Sequence, residues 1–191
     1  MTKSRIEAFS DGVIAILITI MVLQLKVPLS TGLEGLRPMI PILFCYLLSF
    51  VFLGIYWSNH HHLFQAVKKV NGRILWANLH LLFWLSLVPF VTAWMGETGF
   101  ATWPVASYGI VLLCAALAYF ILTLTLLGVH GPDSLLATAL GNDVKGKVSV
   151  LIYAVAILLA FAWAWVSCVL YVAVAILWLV PDRRIERILE G

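Results

Sequence analysis

Charge is what this chain has least of. Only 11% of its 191 residues are Asp, Glu, Lys or Arg, while 63% are hydrophobic; an ordinary soluble domain carries about a quarter charged residues. So little polar side chain cannot clothe a water-facing surface, and a soluble fold is excluded. The three cysteines, Cys45, Cys114 and Cys168, each stand inside an apolar block without C-x-x-C spacing. That pattern supplies neither a disulfide framework nor a zinc site. The net charge of +3 is small and scattered, which argues against a nucleic-acid partner. No nucleophile stands near a base and no carboxylate pair is evident, so no enzyme and no cofactor are expected. There is no low-complexity segment, and the opening segment has no counterpart in the second half, unlike the duplicated halves of many transporters. The first apolar block lacks an A-x-A cleavage site, so it is expected to be retained rather than removed as a signal peptide.

What the chain does have is long apolar blocks, with a mean hydropathy of +1.04. A helix needs roughly 20 apolar residues to cross the hydrocarbon core, and six stretches approach that length: Ile6 to Leu25, Met39 to Trp57, Ile74 to Met95, Trp103 to Val129, Val148 to Phe161 and Trp165 to Val180. The last two form one uncharged run too long for a single crossing, so a fold at residues 162–164 is expected to divide it into two short helices. The fold class is therefore all-α: a polytopic membrane protein with six transmembrane helices, residues 1–191 forming one unit. Lys3 and Arg5, then Lys68, Lys69 and Arg73, then Lys145 and Lys147, and finally Arg183, Arg184 and Arg187 fall on one side of that topology, and only Lys26 and Arg37 on the other. This bias places both termini in the cytoplasm by the positive-inside rule. Pro28, Ser30, Thr31 and Gly32 make one outer turn and residues 96–102 another, while Ser134 to Leu140 is read as a short surface helix. Trp57, Trp94, Trp103 and Trp178 lie near span ends, as aromatic-belt anchors do.

Charge buried in a membrane is costly and marks function by default. Within the spans it is confined to Arg5, Glu7 and Asp11, at the start of the first helix; interfacial snorkelling is the bland alternative. Arg5-Ile-Glu-Ala-Phe9-Ser10-Asp11 reads R-x-x-x-F-S-D and is followed by Gly-Val-Ile-Ala-Ile and, two residues on, Thr19. This opening resembles that of the transmembrane protein 175 family of potassium channels, in its bacterial single-repeat form. Trp57-Ser-Asn59-His60-His61, Asn78-Leu-His80 with Pro89-Phe90, and Pro181-Asp-Arg-Arg-Ile-Glu extend the resemblance over nearly the whole chain.

The resemblance implies a homotetramer in the bacterial inner membrane, with membrane lipid around it and one central pore lined by the first helix of each subunit. It implies a potassium-selective cation channel, passing potassium and similar monovalent cations without the T-V-G-Y-G carbonyl filter, a loop this sequence lacks. Family pore positions map onto Ile16, Thr19 and Leu23, an apolar constriction or hydrophobic gate with a hydroxyl between its rings. Selectivity there is expected to be modest and to come from the cost of dehydration, with Thr19 replacing lost water. At about 100° per residue these three side chains fall within roughly 60° of one another, a single stripe; such an i, i+3, i+7 pattern equally describes core packing. Ser10 and Asp11 point away from it and require partners. The family pattern offers His60 and His80, with Trp57, Asn59 and Asn78 nearby and Arg5 reaching around; together with Phe9 these form an expected network that holds the first helix in place. His60, His61 and His62 are adjacent on a helix, point about 100° apart and are not expected to ligate one metal. The rival reading is an ion- or proton-coupled secondary transporter, but acidic or histidine relays near mid-membrane are lacking apart from His80.

Overall fold

In the computed structural model, residues 2–28, 31–140 and 143–179 are described, and among them every regular element is helical. Helix α1 (Lys3–Leu23) is followed by a 3-10 segment (Leu33–Met39) that runs directly into α2 (Ile40–Gln65). Then come α3 (Gly72–Ser86), α4 (Val88–Glu97), α5 (Thr102–His130), the short α6 (Leu135–Leu140) and α7 (Val144–Leu179). Ser30, Val180, Arg183, Arg184, Arg187 and the Pro181 to Glu186 motif lie outside the described residues.

Among the described residues, five helical stretches are long and apolar enough to cross a membrane, α3 and α4 together making one of them. The division between those two follows from Pro89, which has no N–H to give to the preceding turn; the helix breaks at Leu87 and resumes immediately. The fifth stretch, α7, has 36 residues and as a straight rod would be about 54 Å long, far more than a hydrocarbon core of roughly 30 Å. It does not run straight. Trp163 leaves helical geometry at φ −145°, ψ 80°, and the two arms turn back on each other. Ser167 Oγ donates to the Ala156 carbonyl at 2.7 Å, and Trp178 Nε1 donates to Ser149 Oγ at 2.8 Å. The Tyr153 and Tyr171 rings meet at 6.3 Å. All three pairs are centred on residues 161–164, where the expected turn lies, so the described residues make six apolar legs, the last two being the arms of α7.

Helix α5 forms the middle of the molecule, packed against α3, α4 and both arms of α7, while α1 lies across α2, α3 and α4. Small residues set two of these approaches. A Cβ on Gly109 would meet the Tyr171 hydroxyl, and a Cβ on Gly96 would stand 2.8 Å from the Ile42 Cα. Helix α2 continues two turns past the apolar stretch that ends at Trp57, and the histidine run sits on it, as expected. At one end of the bundle Lys3 Nζ reaches the Gln65 carbonyl at 3.5 Å. There too the main-chain N–H groups of Lys68 and Lys69 both donate to His130 Nε2 at 3.2 Å, while His130 Nδ1 donates to the Leu126 carbonyl at 2.8 Å. At the opposite end Lys26 pairs with Glu97 at 3.0 Å.

Candidate functional site

Helix α1 has two faces with different duties. Its buried residues, Ile6, Ser10, Ile14, Leu17 and Met21, recur at intervals of four or three and form the stripe that packs on the rest of the bundle. Around the helix from it, Ile16, Thr19 and Leu23 are all exposed, Ile16 by 57% and Leu23 by 81%. Arg5, Ala8, Gly12 and Ala15 are exposed on that side as well, and a Cβ on Gly12 would meet open space. Phe9, 53% exposed, falls seven residues before Ile16 and so on nearly the same line. The stripe is thus not core packing within one subunit. Thr19 Oγ1 donates to the Ile16 carbonyl at 2.8 Å; with its one proton directed along its own helix, the hydroxyl keeps its lone pairs for what lies in front of the stripe.

The buried face is fixed by a directional chain of polar groups. Ser10 Oγ donates to the Ile6 carbonyl at 2.8 Å, so its lone pairs receive Asn78 Nδ2, at 2.9 Å. Asn78 Oδ1 in turn accepts from His60 Nε2 at 2.8 Å. All three side chains are buried, and the bonds tie α1 to α3 and α3 to α2. The His60 ring stacks on Phe64 with centroids 4.5 Å apart, and its Nδ1 is buried without a hydrogen-bond partner among the described residues. Helix α3 is started in the right place by Asn71, whose side chain accepts the Ile74 N–H at 3.1 Å. A second tie runs beside the chain: Trp57 Nε1 donates to Asp11 Oδ1 at 3.0 Å.

The expected network is therefore narrower than the residues proposed for it. Ser10, Asn78 and His60 meet, and Asp11 meets Trp57. His80 does not join them: it is exposed, and its Nε2 accepts from Trp84 Nε1 at 3.0 Å, one turn on in the same helix. Asn59 presents its main-chain carbonyl to the Tyr119 hydroxyl at 3.2 Å, with its side chain on another face of α2. Arg5 and Phe9 are exposed. In the histidine run, His60 points inward, while His61 stacks on Trp57 at 6.1 Å and accepts from Gln65 Nε2 at 2.8 Å.

One polar chain has no forerunner in the sequence reading. The Tyr108 hydroxyl donates to Ser49 Oγ at 3.0 Å, Ser49 Oγ donates to Thr92 Oγ1 at 2.7 Å, and Thr92 Oγ1 donates to the Val88 carbonyl at 2.6 Å. The order follows because each hydroxyl has a single proton and the carbonyl can only accept. Hydroxyls standing in apolar runs were the available signal, but which of them meet depends on helix rotation.

A family model described as "Endosomal/lysosomal potassium channel TMEM175" matches residues 5–89. A potassium channel of Chryseobacterium sp. (strain P1-3) is 52% identical over 190 residues, covering 100% of this chain and 99% of that one. The crystal structure of a lysosomal potassium-selective channel TMEM175 homolog from Chamaesiphon minutus superposes with a TM-score of 0.79 at 29% identity, over 94% of this chain and 97% of that chain. An endosomal/lysosomal proton channel TMEM175 of Danio rerio is 27% identical over 135 residues, 68% of this chain but 25% of the longer relative.

Proposed function

Because the chain belongs to the TMEM175 family of potassium channels, a family of ion channels and not of enzymes, and is a multi-pass protein of the bacterial inner membrane, we propose that it is one subunit of a tetrameric potassium-selective channel whose pore is lined by α1. Both termini lie in the cytoplasm in this reading, which the distribution of basic residues supports. The observation that carries it is the exposed stripe of Ile16, Thr19 and Leu23, separated from a packing face that is fully occupied within the subunit.

Four such stripes around an axis make two apolar rings about 10 Å apart along the helix, with a ring of threonine oxygens between them. An apolar ring offers an ion nothing in exchange for its water, so the cation must pass with part of its hydration shell. Potassium is more weakly hydrated than sodium and loses less. The Thr19 lone pairs, left outward by the bond to the Ile16 carbonyl, replace part of what is shed. A small rotation of α1 narrows the rings, expels water and closes the path by dewetting. The Ser10–Asn78–His60 chain sets the rotation of α1 and is assigned to positioning.

The test is potassium flux from vesicles holding the purified protein. Wild type should release potassium passively down any gradient in single-channel steps; saturable flux coupled to a second ion would instead establish the secondary transporter. Ile16→Asn and Leu23→Asn should wet the throat, raising flux and lowering the potassium-to-sodium ratio. Variants that conduct with unchanged flux and ratio would remove these residues from the pore. A pH-sensitive dye in the same vesicles reports proton passage, the activity named for the vertebrate relative.

A further inference from the structure

Two residues of the opening motif stay outside the ties that hold α1. Arg5 and Phe9 take no part in the Ser10–Asn78–His60 chain or in the Asp11–Trp57 bond. Their place around the helix groups them instead with the exposed stripe. Residues seven apart on an α-helix lie only about 20° apart around it. Phe9, Ile16 and Leu23 form one series at that spacing, and Arg5, Gly12 and Thr19 form a second, interleaved with the first. All six are exposed, so the two series make one uncovered line from the first turn of α1 to its last. Phe9 is 53% exposed, close to the 57% of Ile16; its own subunit covers it no more than it covers the constriction residue.

The line differs in kind from a packing seam. Helices that pack along a heptad seam place apolar side chains in both series. Here the second series is a guanidinium, a missing side chain and a hydroxyl. A Cβ on Gly12 would meet open space, and the Thr19 oxygen keeps its lone pairs for what lies in front of it. A charge on a line facing hydrocarbon is costly, whereas on one facing water it is not. Bulky apolar side chains alternating with polar or absent ones suit a path that carries water and narrows at intervals.

Resting on the reading of α1 as the pore helix, we propose that the conduction path continues along this line to the cytoplasmic mouth, with Phe9 and Arg5 as pore-lining residues. Four Phe9 rings make a third collar about 10 Å on the cytoplasmic side of Ile16. Between the two collars, Gly12 leaves a wider chamber for a hydrated cation. Four Arg5 guanidiniums stand about 6 Å beyond Phe9 along the helix and set the potential of the mouth. Positive charge there lowers the local concentration of cations, so Arg5 restrains potassium entry from the cytoplasm and makes inward current the larger.

Currents through the purified protein in planar bilayers, with the native cysteines replaced, test both positions. Ile16→Cys is the reference, and a charged thiosulfonate reagent added on the cytoplasmic side should block it, since such a reagent needs water and a thiolate. Phe9→Cys should be blocked too, and sooner, because it stands nearer the mouth. Arg5→Gln should raise outward potassium current about tenfold at roughly 0.01 M salt, where the Debye length is ~30 Å, and hardly at all at 1 M, where it is ~3 Å. Arg5→Lys keeps the charge and should match wild type at every salt concentration. In Arg5→Cys a cationic reagent should return the current toward wild type and an anionic reagent should raise it further, a dependence on sign that a merely structural arginine does not produce. Phe9→Cys carries the test if no Arg5 variant can be purified. Free passage in modified Phe9→Cys beside block in Ile16→Cys overturns the proposal and leaves the channel reading intact, and so does an Arg5→Gln current equal to wild type at low salt. Block of neither cysteine variant takes α1 out of the pore, and this proposal with it.

Discussion

At the scale of single residues, the two faces of α1 yield opposite expectations for polar side chains of similar size. Thr19 is exposed, and its proton is spent on its own helix, so removing the hydroxyl leaves nothing buried and unpaired. Thr19→Val should fold and assemble as wild type yet lose potassium preference over sodium by about fivefold, the worth of one hydrogen-bonding group of roughly 1 kcal/mol. Thr19→Ser should restore it. An unchanged permeability ratio in the valine variant would take the hydroxyl out of selectivity. Asn78 is the reverse case. It is buried and links Ser10 to His60, so Asn78→Ala strands a donor and an acceptor and should cost about 1 to 3 kcal/mol of stability, read as lower yield and earlier thermal unfolding in detergent. Asp11→Asn keeps an oxygen for Trp57, whose bond to it is exposed. It should therefore be milder than Asn78→Ala, with ion selectivity kept; a well-folded Asp11→Asn with altered selectivity would move Asp11 from positioning to the conduction path.

At the scale of elements, what could be read in advance was whatever depends on length and sidedness. The number of legs, the turn near Trp163 and the short α6 all follow from apolar runs that are too long or too short for a bilayer, checked against where the lysines fall. What could not be read was rotation. Asn59 and His60 are neighbours in sequence, yet one lines a cavity between α2, α5 and α7 and the other joins the buried chain; His80 sits two residues from Asn78 and points about 200° away from it. Resemblance groups such residues by position in the sequence, while contact requires a shared helix face. Close approach was equally hidden. Gly109 is one glycine in an apolar helix until Tyr171 is seen to occupy the place of its missing side chain. The Tyr171 hydroxyl donates to the Val105 carbonyl at 3.1 Å, which holds the second arm of α7 on α5. Gly109→Ala should push the ring out and destabilise the purified protein by about 1 to 3 kcal/mol. Tyr171→Phe, made in the same chain, should recover part of the loss, a coupling that a double-mutant cycle measures. Simple additivity would show that the clash lies elsewhere.

At the scale of the whole molecule, apolar exposure alone does not distinguish a pore from a lipid-facing surface, because both are uncovered in one subunit. Leu23 is 81% exposed and Leu158, on the first arm of α7, is 73% exposed. What separates them in the proposed tetramer is the medium each faces. Leu23 is expected to face water and ions at the axis, and Leu158 the acyl chains. A thiol placed at each position reports this directly, since a charged thiol reagent needs water to arrive and reacts with the thiolate, which forms in water and not in hydrocarbon. With the native cysteines replaced, Leu23→Cys should be modified rapidly and its potassium current blocked, and four modified sites would crowd one axis. Leu158→Cys should react slowly and keep its current. Equal protection of both positions would place α1 against lipid, and the family fold would then have to conduct by some other helix.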